Sequence, residues 1–414
     1  MNRQKKFWPT GKIVFIFGIF LAYLLLGLAF QLLVVNGVIE KSPPTQVEKS
    51  MTDSIAESEK SSIMDLKSLQ SSFEKNFVRK NGHVVLYISA NKSLNIIDSN
   101  TNSEAVSYYL LWNANAKNKV AFDRELDFIE SKMTEPNFGY LRWRLASNDS
   151  VEGDGGNIAS DADLRAIKAL LVAEKQWNDP RYKKLAEKLA FGIEKVAITK
   201  DNMLAPYGGA SGKTSAWSAK EVWISYEDFT VLSELAQRRG DVWKKVYKNM
   251  KNATLHAQIH NGLYNSELTE KREYGNGIDG GDYSINSLWM MVRSAESSDT
   301  ELRDSARKSL EFYKHRFEID NDIYASYNSE GNALSPSSTP WVYALVGRAA
   351  VALDEQEFSE KMIKKLAHYQ IKDNKSGLYG LFAEGEKNDL RVGQFTNQEI
   401  ILTLQAYDEK YGLN

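Results

Sequence analysis

The sequence predicts a mainly α-helical protein: an (α/α)6 toroid of six inner and six outer helices, with a small β-hairpin and one preceding transmembrane helix. Three observations predict it. Helix-start signals recur at Ser103, Ser160, Ser225, Ser284, Ser338 and near Phe395. Their spacing, roughly 52–65 residues, fits two helices with their loops. The apolar helices that begin there alternate with amphipathic segments at about 119–134, 180–197, 240–260, 299–318 and 355–371, and residues 60–77 offer a sixth outer helix. An uncharged apolar run, Ile13 to Val35, stands ahead of the rest. An open helical solenoid is the alternative, but its repeats are usually shorter and more alike.

From the N-terminus, residues 1–12 carry Arg3, Lys5, Lys6 and Lys12 with no acid among them. The run at 13–35, IVFIFGIFLAYLLLGLAFQLLVV, would extend roughly 34 Å as a helix, enough for a hydrocarbon core. It is longer than the apolar part of a cleavable signal, and VVNGVI is a poor cleavage site. It is therefore expected to be an uncleaved single-pass anchor, its cationic flank cytoplasmic and the rest of the chain extracytoplasmic at the cell membrane. Residues 36–70 are polar, with Pro43-Pro44, and are expected to be a linker. Residues 71–414 are expected to form one large domain. There the stretches Val84–Ser89 and Ser93–Asp98 read as strands of a hairpin.

Composition excludes several classes of function. The 414 residues are 43% hydrophobic and carry a formal net charge of −2, with basic and acidic residues spread evenly, so no nucleic-acid partner is expected. The absence of cysteine rules out disulfides, thiolate metal sites and a cysteine nucleophile. His256 and His260 have a metal-compatible spacing but lack the intervening Glu of a zinc hydrolase, so no metal is expected. No phosphate loop, nucleophile elbow or nucleotide fingerprint is present, and no cofactor is implied. Nine Trp, twenty Tyr and seventeen Phe fit a well-filled core or, alternatively, a cleft where flat rings stack on sugars.

In a toroid the inner helices start at one end, and their N-terminal loops gather round one cleft. Carboxyls in those first turns are the candidate chemistry. Glu104 lies in the first turn of the helix NSEAVSYYLLW, as dipole compensation or as a shielded acid. Asp161 and Asp163 open a helix behind a glycine loop, EGDGGN (152–157). Two positions apart, they do not share a face: one can meet the cleft while the other braces a loop.

The run ASDADLRAIKALLVAEKQW, Ala159 to Trp177, resembles the signature of glycoside hydrolase family 8, departing from it at Ala166-Ile167. The segment SEAVSY is similar to that family's Ser-Glu-Gly-Gln-x-Tyr, and Ser225-Tyr226 to its Pro-Ser-Tyr. The resemblance spans about residues 75–410 in the right order. It implies an (α/α)6 barrel, Glu104 as general acid, and Asp161 as a substrate-contacting carboxylate. It also implies inverting hydrolysis of a polysaccharide, among β-1,4-glucans, chitosan, xylan and bacterial exopolysaccharides. The family's base is an Asp at the position of Asn286, and an amide cannot take a proton from water. The expected base is therefore a carboxylate of the loop NGIDGGD (276–282): Asp282 first, Asp279 second. Tyr108, Tyr226, Trp112, Trp223 and Asn286 are expected to hold the sugar, and Trp217, Trp289 and Trp341 lie on inner helices or cleft-side loops. Trp143, Trp177 and Trp243 are expected in the core. The rival expectation is a polysaccharide-binding or exopolysaccharide-assembly protein that has lost its base.

Overall fold

The computed structural model describes residues 65–90, 95–151, 153–385 and 390–413. The expected membrane span, its cationic flank and the linker up to residue 64 lie outside the described residues. Among the described residues no helix is long and apolar enough to cross a membrane.

The described residues form twelve α-helices in two alternating sets. The inner set is α2 (Ser103–Asn115), α4 (Ser160–Trp177), α6 (Phe229–Arg239), α8 (Ile285–Ala295), α10 (Pro340–Ala352) and α12 (Gln394–Tyr411). The outer set is α1 (Leu66–Phe77), α3 (Lys119–Phe128), α5 (Pro180–Val196), α7 (Asp241–Ala257), α9 (Thr300–Asp320) and α11 (Gln356–Leu366). Each inner helix packs on the next and α12 packs on α2, so the ring closes. Helix α1 packs on α12 and supplies the sixth outer helix, starting inside the stretch expected to be linker.

The two sets differ as their burial demands. Helix α2 buries Ser103 and every residue from Ala105 to Ala114. Helix α11 buries one stripe, Phe358, Met362, Ile363 and Leu366, and turns its charges outward. Caps fix several starts: the Asn102 side chain accepts from Ala105 N, and Asp299 from Glu301 N and Leu302 N. Ser225 does not open α6. It lies in a 3-10 turn, Ile224–Tyr226, and Asp228 caps the helix by accepting from Thr230 N and Val231 N.

After each outer helix the chain makes a bridged turn: Val78 with Val84, Thr134 with Leu141, Ile198 with Leu204, Gln258 with Tyr264, Tyr327 with Ala333 and Gln370 with Phe382. In every one a residue takes positive φ: Gly82, Gly139, Asn202, Gly262, Gly331 and Gly380. Three of the following inner helices hold their turn with a polar side chain that accepts a bridge-residue N–H: Asp163 from Leu141, Ser287 from Tyr264 and Asn397 from Phe382. Asp163 thus braces a loop.

Short antiparallel strands precede the inner helices. The expected hairpin, β1 (Tyr87–Ser89) with β2 (Ile96–Asp98), gains a third strand, β11 (Arg391–Gly393), ahead of α12. Strand β3 (Thr101–Asn102) pairs with β4 (Arg144–Leu145) ahead of α2. Strand β5 (Ile158–Ala159) pairs with β6 (Tyr207–Ala210) and β6 with β7 (Ala216–Ser218), ahead of α4. Strand β8 (Val222–Trp223) pairs with β9 (Glu267–Leu268) and β9 with β10 (Tyr274–Gly275). The N-terminal ends of the inner helices are therefore the loop-rich mouth of the ring.

Candidate active site

Glu104 is positioned by the strand that leads into its helix. Pairing of Asn102 with Arg144, and a bond from Ser103 N to Trp143 O (2.8 Å), lay Trp143 across the first turn of α2. The Trp143 indole Nε1 donates to Glu104 Oε1 at 3.1 Å. Trp143 is thus not a core residue as expected; the strand register turns its ring to the carboxyl. Glu104 opens into a cavity of about 480 Å³ walled by Trp143, Tyr207, Trp217, Trp223 and Tyr226, with Asp154 and Asn157 from the glycine loop. Tyr207 lies edge-on to Trp217 and Trp223, and Trp223 edge-on to Tyr226. A Cβ at Gly208 would lie 1.8 Å from Val196 O, so only glycine lets β6 run this close to α5. Such a trough, apolar faces with a few polar groups, suits a sugar chain.

Asp161, in the first turn of the adjacent α4, is buried. Its Oδ2 accepts from Arg165 Nη2 at 2.9 Å, while Oδ1 has no hydrogen-bond partner among the described residues. Burial, and next the negative charge of Asp161, push the Glu104 carboxyl up to about 7. A carboxyl held protonated near neutral pH can act as a general acid.

The loop ahead of α8 brings Asp279, Asn286 and Ser225 together. Ser225 Oγ donates to Asn286 Oδ1 (2.7 Å), which leaves the amide Nδ2 to donate to Asp279 Oδ1 (2.8 Å). Asp279 Oδ2 is buried without a partner among the described residues; the nearby Ser266 hydroxyl is donated to Asn276 Oδ1 (3.1 Å). Burial raises the Asp279 carboxyl to about 6, against the lowering effect of the Asn286 bond. Gly280 and Gly281, both at positive φ, carry the chain on to Asp282. Asp282 is half-exposed, its amide bonded to the Asp279 carbonyl (3.3 Å).

Two expected sugar contacts lie elsewhere. Trp112 is buried between α2, α1 and α12, edge-on to Phe73 and Tyr109, with its Nε1 donating to Gln398 (3.1 Å). Tyr108 is also buried, its ring under the Arg165 guanidinium and its hydroxyl donating to Glu399. Tyr108 lines a second cavity inside the ring, of about 630 Å³. Ion pairs dominate its lining, among them Lys168 with Asp228 and Glu296, and Arg348 with Glu296. Trp289 points its Nε1 at Glu399 (3.2 Å). Trp341 is half-buried at the start of α10. Trp243 is buried in the core, its indole donating to Glu194, and Trp177 is half-buried against that core, edge-on to Phe122 and Tyr182. His256 and His260 are exposed.

Sequence reasoning missed Tyr207, Arg165 and the role of Trp143. The signal for Tyr207 was the pair of glycines that follows it. For Arg165 it was the i, i+4 spacing from Asp161.

Comparison with known proteins places this geometry. The model of Glycosyl hydrolases family 8 matches residues 62–279, just over half of the chain. An endoglucanase of Pseudomonas fluorescens (strain SBW25) is 26% identical over 190 residues, 43% of this chain and 45% of that protein; the chain thus matches less than half the length of this curated relative. A solved α-amylase from Clostridium perfringens is 25% identical, with a TM-score of 0.71, over 84% of this chain and 99% of that one. The endo-1,4-D-glucanase from Vibrio fischeri ES114 shares the fold at 18% identity, with a TM-score of 0.63, over 84% and 96%. On the family match, with the toroid and its cleft-mouth carboxyl, this chain belongs to glycosyl hydrolases family 8.

Proposed function

We propose that the protein is an inverting, endo-acting hydrolase of a glucan chain, with Glu104 as general acid and Asp279 as general base. The observation that carries this reading is Glu104, at the side of an aromatic-walled cavity with its carboxyl raised by burial to about 7, so that it still holds a proton in slightly acid solution. In the reaction Glu104 gives its proton to the glycosidic oxygen as the C1–O bond breaks toward that oxygen. Water attacks C1 from the opposite face and passes its proton to the carboxylate base. Asp279 replaces Asp282 as first choice for that role. Burial raises its carboxyl to about 6, and Asn286 holds one of its oxygens in place.

Two linkages are supported by different relatives. The family and the Pseudomonas endoglucanase favour a β-linked glucan. The α-amylase, which superposes over most of the chain, favours an α-1,4-glucan. The full chain is to be assayed for new reducing ends on carboxymethylcellulose, mixed-linkage β-glucan and amylose. Turnover of one polymer, lost in Glu104→Gln, supports the reading and settles the linkage. Binding without turnover on all of them refutes it in favour of a polysaccharide-binding protein.

We further infer that residues 13–35 anchor the enzyme with its catalytic domain outside the membrane, acting on a polysaccharide near the cell surface. The apolar length and cationic flank support this. Protease added to intact, wall-stripped cells should remove the domain; full protection would overturn the orientation.

A further inference from the structure

Glu104 and Asp161 sit in the first turns of neighbouring inner helices, α2 and α4, which pack closely along their length. Glu104 lines the aromatic-walled cavity and Asp161 the inner one, and the charge of Asp161 is felt across the helix contact, raising the Glu104 carboxyl; two neighbouring carboxyls withdrawn from water do not both ionise readily. What decides where a proton resides is the surroundings of each carboxyl. Resting on the assignment of Glu104 as proton donor, we propose that Arg165 fixes the proton on Glu104 by holding Asp161 in its charged form. Arg165 is then a positioning residue, acting through Asp161 without touching the sugar.

The geometry is one-sided. Arg165 bonds Asp161 Oδ2 through Nη2 (2.9 Å), and both side chains are buried. Its other terminal nitrogen, Nη1, reaches Ser107 Oγ on α2 (3.2 Å), and the guanidinium carbon lies over the Tyr108 ring, 3.8 Å from its centroid. The cation is thus clamped on three sides. Glu104 receives an indole N–H from Trp143 on Oε1 and a long contact from Ser103 Oγ (3.5 Å) on Oε2. No full cation bonds it in the structure as described. The buried pair Arg165–Asp161 is a charge-assisted bond, the stronger kind; the bonds to Glu104 come from neutral donors.

The other groups facing the pair do not reverse this bias. Asp163, on the same helix, accepts from Leu141 N through Oδ1, and burial pushes its carboxyl well above the ordinary range, so it adds no negative charge beside the pair. Tyr226 faces both carboxyls, and burial pushes its phenol well above its ordinary range, so it stays neutral. Arg293 of α8 is spent on the carbonyls of Ser225 and Glu227. Glu399 of α12, behind Tyr108, is paired with Arg348 of α10 (2.6 Å). Without the Arg165 charge no cation bonds Asp161, and the one-sidedness that leaves the proton to Glu104 is lost.

The test uses Arg165→Gln, which keeps a donor but removes the charge, and Arg165→Lys, which keeps the charge. On the glucan the full-length enzyme cleaves, Arg165→Gln should lose about tenfold or more, within the range general-acid catalysis supplies. On a 2,4-dinitrophenyl glycoside of the same sugar, whose leaving group needs no proton, it should lose much less. Arg165→Lys should recover most of the difference, and the alkaline limb of the pH profile should move in the Gln variant only. Equal losses on both substrates with an unmoved pH profile would overturn the proposal and leave Arg165 a packing residue.

A second readout does not need turnover. The infrared carboxylic-acid C=O absorption near neutral pH should lose one component with Glu104→Gln and keep it with Asp161→Asn in the wild-type background, above a constant contribution from Glu125, Asp163 and Glu227, whose carboxyls burial also raises. In the Arg165→Gln background Asp161→Asn should also diminish that component. If it responds to both substitutions alike in the two backgrounds, the proposal fails. If it behaves as expected in a protein that cleaves no glycan, the proton placement stands and the hydrolase reading is what fails.

Discussion

Glu104→Gln should make the folded protein more stable while it abolishes hydrolysis, and the gain should grow with pH. A free glutamate carboxyl ionises near 4.5, and burial beside Asp161 raises this one to about 7. At about 1.4 kcal/mol per pH unit, the mismatch corresponds to about 3 kcal/mol. The sign follows from proton linkage. Below pH 4.5 both folded and unfolded chains carry the protonated acid, and no penalty applies. Between about 4.5 and 7 the unfolded chain ionises and the folded one does not, so stability falls as pH rises. Above about 7 the folded chain carries a buried, poorly solvated charge, and the loss is complete. Glutamine is neutral throughout, and its Oε1 can still accept the Trp143 indole N–H. Chemical unfolding of the full-length protein and the variant, followed by tryptophan fluorescence from pH 4.5 to 8.5, checks this. The curves should nearly coincide at the acid end and separate by about 3 kcal/mol at the alkaline end. Turnover on an unactivated glucan should fall by about 10²–10⁴-fold. A stability gap independent of pH would refute the argument that Glu104 is a carboxyl forced to stay protonated, whatever happened to activity.

Other outcomes follow from the same site. The profile of kcat/KM against pH should be bell-shaped, rising through about 6 as Asp279 ionises and falling through about 7 as Glu104 loses its proton; a flat profile across that window would remove both assignments. Asp279→Asn should eliminate glucan turnover while Asp282→Asn leaves most of it, and the reverse order would return the base to Asp282. Trp223→Ala should raise KM for the polymer with little change in unfolding free energy. Trp112→Ala should instead cost about 3–5 kcal/mol of stability and leave the KM of the remaining folded enzyme unchanged.

The ring was legible in the sequence because two signals of different kinds agreed. Inner helices such as α2 and α10 are buried over nearly their whole length, the outer ones carry a stripe, and starts such as Ser103 and Ser160 mark the repeat. A sharper marker of the same repeat went unread. A glycine or asparagine followed by bulkier residues recurs at Gly82, Gly139, Asn202, Gly262, Gly331 and Gly380, once after each outer helix. Each of these residues holds the left-handed conformation of a bridged turn, a requirement of the backbone alone, so it persists where side chains have diverged. Placing Asp163 did not depend on that marker. Two positions from Asp161, it had to face elsewhere, and it meets the bridge at Leu141.

The misplacements of Tyr108 and Trp112 have one physical cause. The mouth of the ring meets only the first turn of each inner helix. Four residues further on, the chain has descended about 6 Å along the axis. Tyr108 is four residues past Glu104 on nearly the same face, so it points inward below the floor of the cleft and meets Arg165. Trp112, a further turn down, has rotated toward α1 and α12. The same descent sorts α4: Asp161 lies at the carboxyl pair, Arg165 beneath it, and Lys168 among the ion pairs of the inner cavity. It sorts α8 as well, where Asn286 meets Asp279 and Arg293 lies two turns below, holding the carbonyls of Ser225 and Glu227. Membership of an inner helix therefore does not make a residue part of the cleft; its turn number does. The first turns line the cleft that the proposed function gives to the sugar, and the residues one turn down, such as Arg165, bond to those first-turn side chains from below.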